Sequence, residues 1–525
     1  MTTGLLQTVF KRSLFAWSDQ DYNTNQDLDS ISVMTRTSSF NIKAENTHLE
    51  DAEVGDLPLS IKDEAEDDGY LDFTPEEERT LVRKVDACLL TTIFAMYLLS
   101  YMDRTNIANA KVAGLMEDLK MDSGNYSISL IVFFVFYVVF EVPANLIMVK
   151  IGPIRFVPSI MVIWGALTCC FSAVKTYGQL VALRCLVGIF EAGFAPSILL
   201  ILSSWYKKEE QSKRFAIYIS AAILSGAFGG IIAGVITDHL ENVRGIAGWR
   251  WLFIIEGAGT IVVALVAFVT LLPFPHDMKP SKGFTQRDID IAVARLKMNN
   301  VDNSAGSDIS ALRAVWLNFT SLRFNLLLLG YMVIVGSSTL SYFYPTLVKG
   351  LGYSGSMVQY MTIPIYGAAF VLNLIIAFIS DKFQNLRPVL LTILLFFSGV
   401  FSLVVVLVYG YTERYAMLVL MASCLWSANA LALSYSSVGL SHKDSKTRGV
   451  GLALINALGN FAQIYGSYLF PSDDSPKYIM GFGVITGMCF FGFLTYGCMA
   501  LYPQLMRLLK GKTHASERSV SEDPM

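Results

Sequence analysis

The stretch Tyr126-Ser-Ile-Ser-Leu-Ile-Val-Phe-Phe-Val-Phe-Tyr-Val-Val-Phe-Glu141-Val-Pro-Ala-Asn-Leu-Ile-Met-Val-Lys150-Ile-Gly-Pro-Ile-Arg155 decides how this chain folds. Its first part, residues 126–149, holds a single charge, Glu141. As a helix it is long enough to cross the ~30 Å of bilayer hydrocarbon at ~1.5 Å per residue. Water is absent at that depth, so every backbone group must be paired within the segment, which a helix achieves. The run then stops in a short basic turn, Lys150 to Arg155.

Runs of similar character recur on both sides. They cover 86–104, 126–149, 156–175, 178–203, 215–238, 250–272, 324–348, 358–380, 387–410, 415–440, 448–471 and 479–502. Composition agrees: of 525 residues, 53% are hydrophobic and 16% charged, and mean hydropathy is +0.49. A soluble domain is about a quarter charged. A net charge of −3 offers no basic footprint for nucleic acid. The seven cysteines lie in apolar stretches without a CxxC pair, and are read as core filling. Residues 1–80 carry acidic runs such as Glu76-Glu77-Glu78 and no sustained apolar pattern, which is the composition of a disordered acidic tail.

A polar connection, Pro273 to Arg323, divides the spans six and six. The expected plan is a bundle over 86–272, a central loop over 273–323, a second bundle over 324–502 and a C-terminal tail over 503–525. Alternate loops concentrate basic residues: Lys150 and Arg155; Lys207, Lys208, Lys213 and Arg214; seven between Lys279 and Arg323; Lys382 and Arg387; Lys443, Lys446 and Arg448. The opposite loops hold fewer, among them Lys111, Arg244 and Lys349. That asymmetry places both termini in the cytosol. The halves also echo each other. Lys150 to Arg155 follows the second span, and Asp381-Lys382-Phe-Gln-Asn-Leu-Arg387 follows the eighth. Spans 4 and 10 each end in a basic loop closed by an arginine, Arg214 and Arg448.

Three longer pieces carry a family resemblance. They are Leu98 to Leu115 around Asp103-Arg104-Thr-Asn, Arg184-Cys-Leu-Val-Gly-Ile-Phe-Glu191-Ala-Gly-Phe-Ala-Pro-Ser197 with the Ser204 to Arg214 loop, and Arg448-Gly…Gly459-Asn460…Pro476-Lys-Tyr478…Gly481. The chain resembles the anion:cation symporter family of the major facilitator superfamily, in its fungal allantoate, nicotinate and pantothenate permease-like branch. The resemblance implies an all-α membrane protein of twelve transmembrane helices in two pseudo-symmetric six-helix bundles. One departure is visible: the loop after the second span lacks the family's aspartate.

A charge at mid-bilayer costs ~2.5–3.5 kcal/mol on insertion scales, so the intramembrane charges are the candidate site. Arg184 and Glu191 are seven residues apart and share one face of span 4. Arg184 suits a bidentate grip on a carboxylate, and Glu191 suits uptake of a coupling proton; a static Arg184–Glu191 pair is the structural alternative. Asp103 and Arg104 fall at the outer end of the expected first span, where an interfacial pair in water is the plain reading. The resemblance instead implies Arg104 and Arg184 as anion ligands, with Asp103 and Glu191 as protonatable partners. Glu141 is expected to gate by pairing with a basic residue such as Arg448, and Asp381 with Arg387 is a second structural contact. Glu256 reads as a structural acid.

Tyr342, Asn429, Asn456 and Asn460 are expected to hydrogen-bond substrate from the second half, while Gly226, Gly230 and Gly234 form a close-packing stripe. No metal-ligand spacing or phosphate loop occurs, so neither a cofactor nor an enzyme activity is expected. The expected partners are a small organic anion, a proton and the lipid bilayer, with a monomeric transport unit. The plasma membrane is the expected location and an internal membrane the alternative. The rival functions are an uncoupled facilitator or exporter and a transporter-like nutrient sensor.

Overall fold

The computed structural model describes residues 73–521 apart from 282, 299–309, 409, 441, 442 and 444. Eleven helices among the described residues are long and apolar enough to cross a membrane. They are α1 (Pro75–Asp118), α2 (Ser123–Met148), α3 (Pro153–Ala173), α4 (Tyr177–Trp205), α5 (Lys213–His239), α6 (Gly248–Thr270), α7 (Leu322–Gly350), α8 (Met357–Lys382), α9 (Gln384–Leu407), α10 (Tyr411–Gly439) and, last in the chain, α12 (Ile479–Leu501). The remaining crossing is α11 (Ser445–Gly466), 22 residues packed against α7 and α2. Its glycines and the polar Asn456, Asn460 and Gln463 dilute its apolar character. Twelve crossings put both ends of the chain on one side, and the basic loops mark that side as cytosolic.

The packing carries an internal two-fold relation. In the first half α3 packs on α6, α2 on α4, α1 on α5 and α6, and α3 on α4. Adding six to each label gives the pairs of the second half: α9 with α12, α8 with α10, α7 with α11 and α12, and α9 with α10. The contacts between halves obey the same rule. α1 meets α7, while α5 against α8 exchanges with α11 against α2.

The ends depart from the expected plan. Residues 1–72 of the expected tail lie outside the described residues. Its last part is ordered: Pro75–Val85 is an amphipathic helix that buries Leu81 and Val85 and presents Glu76–Glu78 in its first turn. The acidic run finds partners on the cytosolic loops. Lys207 pairs with Glu78 at 2.5 Å, Arg295 with Glu78 at 3.2 Å and also with Glu210, and Arg214 with Asp86 at 2.8 Å. Arg295 belongs to a helix within the central loop, Gln286–Met298, which Lys84 also holds through Asp288 at 2.8 Å. Composition alone cannot anticipate this, because the acids become ordered through partners more than a hundred residues away. At the other end, helix Ile479–Ser521 runs through most of the expected tail. The cysteines are all free, and Cys424 and Cys489 are buried; Cys170 and Cys498 are exposed and so fill no core.

The glycine stripe lies between the halves. A Cβ on Gly226 would sit 2.1 Å from the Tyr366 ring, and one on Gly234 would sit 2.2 Å from the Tyr360 ring. Together with the Tyr360–Asp238 hydrogen bond (3.0 Å) and Gln359 donating to the Asn109 carbonyl (3.1 Å), these contacts shut the outer side. Gly226→Val is therefore expected to wedge α5 from α8 and open that side. In a chain otherwise free of cysteine, Ser341→Cys, just beneath the contact, should then react several-fold faster with an external impermeant maleimide. Unchanged labelling would mean that the rings simply step aside.

Candidate functional site

Two features of the helices build the site. α1 does not end at Arg104, as expected from the polar run Asp103-Arg-Thr-Asn, but continues past it to a kink at Gly114 (φ 101°) and on to Asp118. A helix that ended here against lipid would strand backbone groups, so the chain stays helical through this stretch and turns the polar side chains inward. Asp103 and Arg104 are thus buried in mid-helix, not interfacial, with 6% and 7% exposure. α4 is interrupted after Glu191, where Ala192 and Gly193 form a turn before the helix resumes at Phe194. Pro196 has no N–H to return to the Ala192 carbonyl, which accounts for the break. Between Arg184 and Glu191 stands Gly188, whose missing Cβ would lie 2.6 Å from the Phe133 carbonyl oxygen of α2. This close approach sets the aromatic rings of α2 beside the charges of α4.

The charges do not form the static Arg184–Glu191 pair that was the structural alternative. Glu191, fully buried, accepts from Arg104 Nε at 2.5 Å and from Ser100 Oγ at 2.8 Å. The Arg104 guanidinium also lies 4.6 Å from the centroid of the Tyr137 ring. Asp103 Oδ2 accepts from Thr260 Oγ1 at 2.9 Å and from Trp164 Nε1 at 3.1 Å, while Oδ1 has no partner. Arg184 is 3% exposed, yet it forms no ion pair among the described residues. Its Nε and Nη2 lack hydrogen-bond partners, and its nearest ring contacts are Phe171 at 5.4 Å and Phe133 at 6.0 Å. Asp103, Arg104, Arg184 and Glu191 are thus gathered inside the first half with one guanidinium unspent.

The second-half candidates scatter. Tyr342 lies in a tightened turn that interrupts α7, and donates to Gln463 at 3.2 Å. Its carbonyl accepts from Tyr126 of the first half at 3.1 Å. Asn460 accepts from Gln463 at 3.0 Å. Asn456 is committed across the halves, donating to Glu141 at 3.1 Å. Glu141 is therefore held by Asn456 and not by Arg448, which donates to Ser437 at 3.1 Å. The helical phase of α11 turns position 456 toward α2, and no spacing rule within one helix reveals this. Asn429 is half-buried on α10 and shows no hydrogen bond among the described residues. Asp381 lies 4.0 Å from Arg387, which also donates to Ser380 at 3.2 Å, within the cytosolic turn between α8 and α9.

Some participants escaped the sequence reading. Ser100, Trp164 and Thr260 fix the two acids, and Tyr137 covers Arg104. The i, i+4 series Phe133, Tyr137, Glu141 was a usable signal for the inward face of α2. Lys111, expected in an outer loop, is buried with its ammonium 4.3 Å from the Tyr126 ring centroid.

Two six-helix bundles, the first holding buried charges and meeting the second through contacts such as Glu141–Asn456, make a membrane carrier architecture, in which relative motion of the bundles exposes the interior to either side. The chain belongs to the Major Facilitator Superfamily, whose family model matches residues 93–467. It is 32% identical over 470 residues to the MFS transporter prlL of Fungal sp. (strain NRRL 50135), covering 86% of this chain and 90% of that one. It is 31% identical over 460 residues to the MFS-type transporter cnsO of Penicillium expansum, covering 83% and 87%. A bacterial homolog of the human lysosomal transporter Spinster, solved inward-facing and unoccupied, superposes with a TM-score of 0.55 at 15% identity, covering 83% of this chain and 96% of that one. The protein is a transporter of this superfamily.

Proposed function

We propose that the chain is a proton-coupled symporter of a small organic anion, of the anion:cation symporter kind, working as a single chain. The observation that carries this reading is Arg184, a buried guanidinium that forms no ion pair among the described residues. Burying an unpaired charge is costly, and a carboxylate accepting two charge-assisted hydrogen bonds supplies the missing partner. The Arg104–Glu191 pair provides the coupling. A proton on Glu191 removes the charge that holds Arg104, and frees a second guanidinium for the anion. Proton and anion then favour each other's binding, and the effect is reciprocal. Glu141 with Asn456, and Tyr126 with Tyr342, are the contacts that the two bundles exchange as they rock.

The test is uptake into proteoliposomes of a labelled carboxylate panel, nicotinate, allantoate and pantothenate, with and without an imposed inward proton gradient. Accumulation above equilibrium is expected for at least one compound, and it should fall to equilibration when the gradient is collapsed. Accumulation that ignores the gradient would overturn the coupling, and transport restricted to neutral solutes would overturn the anion.

A further inference from the structure

Glu256 on α6 stands outside the set just described, and it is 1% exposed. Neither of its carboxylate oxygens has a hydrogen-bond partner among the described residues. It lies one turn outward of Thr260, the residue that donates to Asp103. Asn106 of α1 stands at a similar level, three residues outward of Asp103, fully buried with both amide atoms unpartnered. The helices are tightly joined here: a Cβ on Gly257 would lie 2.7 Å from the Gly165 carbonyl of α3 and 2.7 Å from Cys169 Sγ. α6 packs against α3, α1 and α5. From α1 comes Asp103, hydrogen-bonded to Thr260 one turn inward of Glu256. From α3 comes the Cys169 thiol, which donates to the Ile254 carbonyl at 3.7 Å. Arg250, further out on α6, is occupied by Asp118 at 2.9 Å.

An ionised carboxylate in this position would have no donor and no ion-pair partner among the described residues, with the Asp103 carboxylate bound to Thr260 one turn inward. Asp103 differs, because Trp164 and Thr260 both donate to it. The hydrogen-bond inventory therefore separates the two acids. We propose that Glu256 is a second proton-binding group of this transporter, occupied by a proton at rest. Its part in transport rests on the proton coupling proposed above, but its occupancy does not.

The proton is read directly by infrared spectroscopy of the full chain in lipid nanodiscs at neutral pH. The carbonyl stretch of a buried carboxylic acid is expected in the wild type, lost in Glu256→Gln and retained in Asp103→Asn. Glu256→Gln should also keep the wild-type melting temperature to within a few degrees, since an amide replaces a neutral acid of the same shape. A band that survives Glu256→Gln, or one that vanishes in Asp103→Asn, would overturn the assignment. So would a Glu256→Gln protein that no longer folds, because the acid would then have been ionised and partnered. Loss of the band when sodium replaces choline at fixed pH would assign the site to a metal cation instead. If the band behaves as expected while uptake ignores the proton gradient, the site stands and the symport reading falls.

Discussion

Arg184→Ala is expected to reduce carboxylate uptake between about 10²- and 10⁴-fold while full-length protein remains in the membrane. The range follows from losing two charge-assisted hydrogen bonds of ~1.5–3 kcal/mol each, at ~1.4 kcal/mol per tenfold change. Arg184→Lys keeps the charge without the planar fork, and should recover only part of the loss. Stability provides the contrasting readout. Arg184 holds no ion pair among the described residues, so its removal orphans no buried acid. Arg184→Met should melt at or above the wild-type temperature. A structural arginine would behave in the opposite way, with uptake per folded molecule intact and folded protein scarce. Near-normal uptake by Arg184→Ala would end the ligand assignment.

Breaking the neighbouring pair should instead unfold the protein. Glu191→Ala leaves the Arg104 guanidinium buried with neither its carboxylate nor another acid in contact. Removing one partner of a buried pair costs about 3–5 kcal/mol, a large part of the margin on which proteins are stable. Replacing both residues, Arg104→Met with Glu191→Met, removes the orphan charge and should restore folding but not transport. The comparison is a double-mutant cycle on melting temperature in detergent. Two single variants as stable as the wild type would show that the pair contributes nothing to folding. Glu191→Gln is the informative intermediate. It retains the shape and the Ser100 contact, imitates the protonated acid, and should keep counterflow exchange while losing gradient-driven accumulation. Loss of both activities would return Glu191 to a structural role.

Much of this architecture was legible in the residues. Hydrocarbon thickness fixes the length of a span, and charge costs too much at depth to be scattered freely. The number of crossings, their six-and-six division and their orientation therefore follow from linear features. The short list of acids and arginines worth attention follows from the same cost. The first span was cut short at Arg104 because polarity along the chain does not say which way a side chain points. In the fold, Asp103 and Arg104 face inward and α1 runs on to Asp118.

What only the tertiary structure decided is who meets whom. Arg184 and Glu191 share a face of α4, which made their mutual pairing reasonable, but Glu191 binds Arg104. The outcome depends on the rotation of α1 about its axis and on the close seating of α2 at Gly188, and neither is encoded by spacing within one helix. The same holds for Glu141, which meets Asn456 and not Arg448. It holds too for Glu256, a structural acid by the sequence and without a hydrogen-bond partner among the described residues of the fold. A membrane sets the length and direction of each helix through its own thickness and charge. The phase between helices is set by side-chain packing, and that phase determines which buried charge is satisfied and which waits for a ligand.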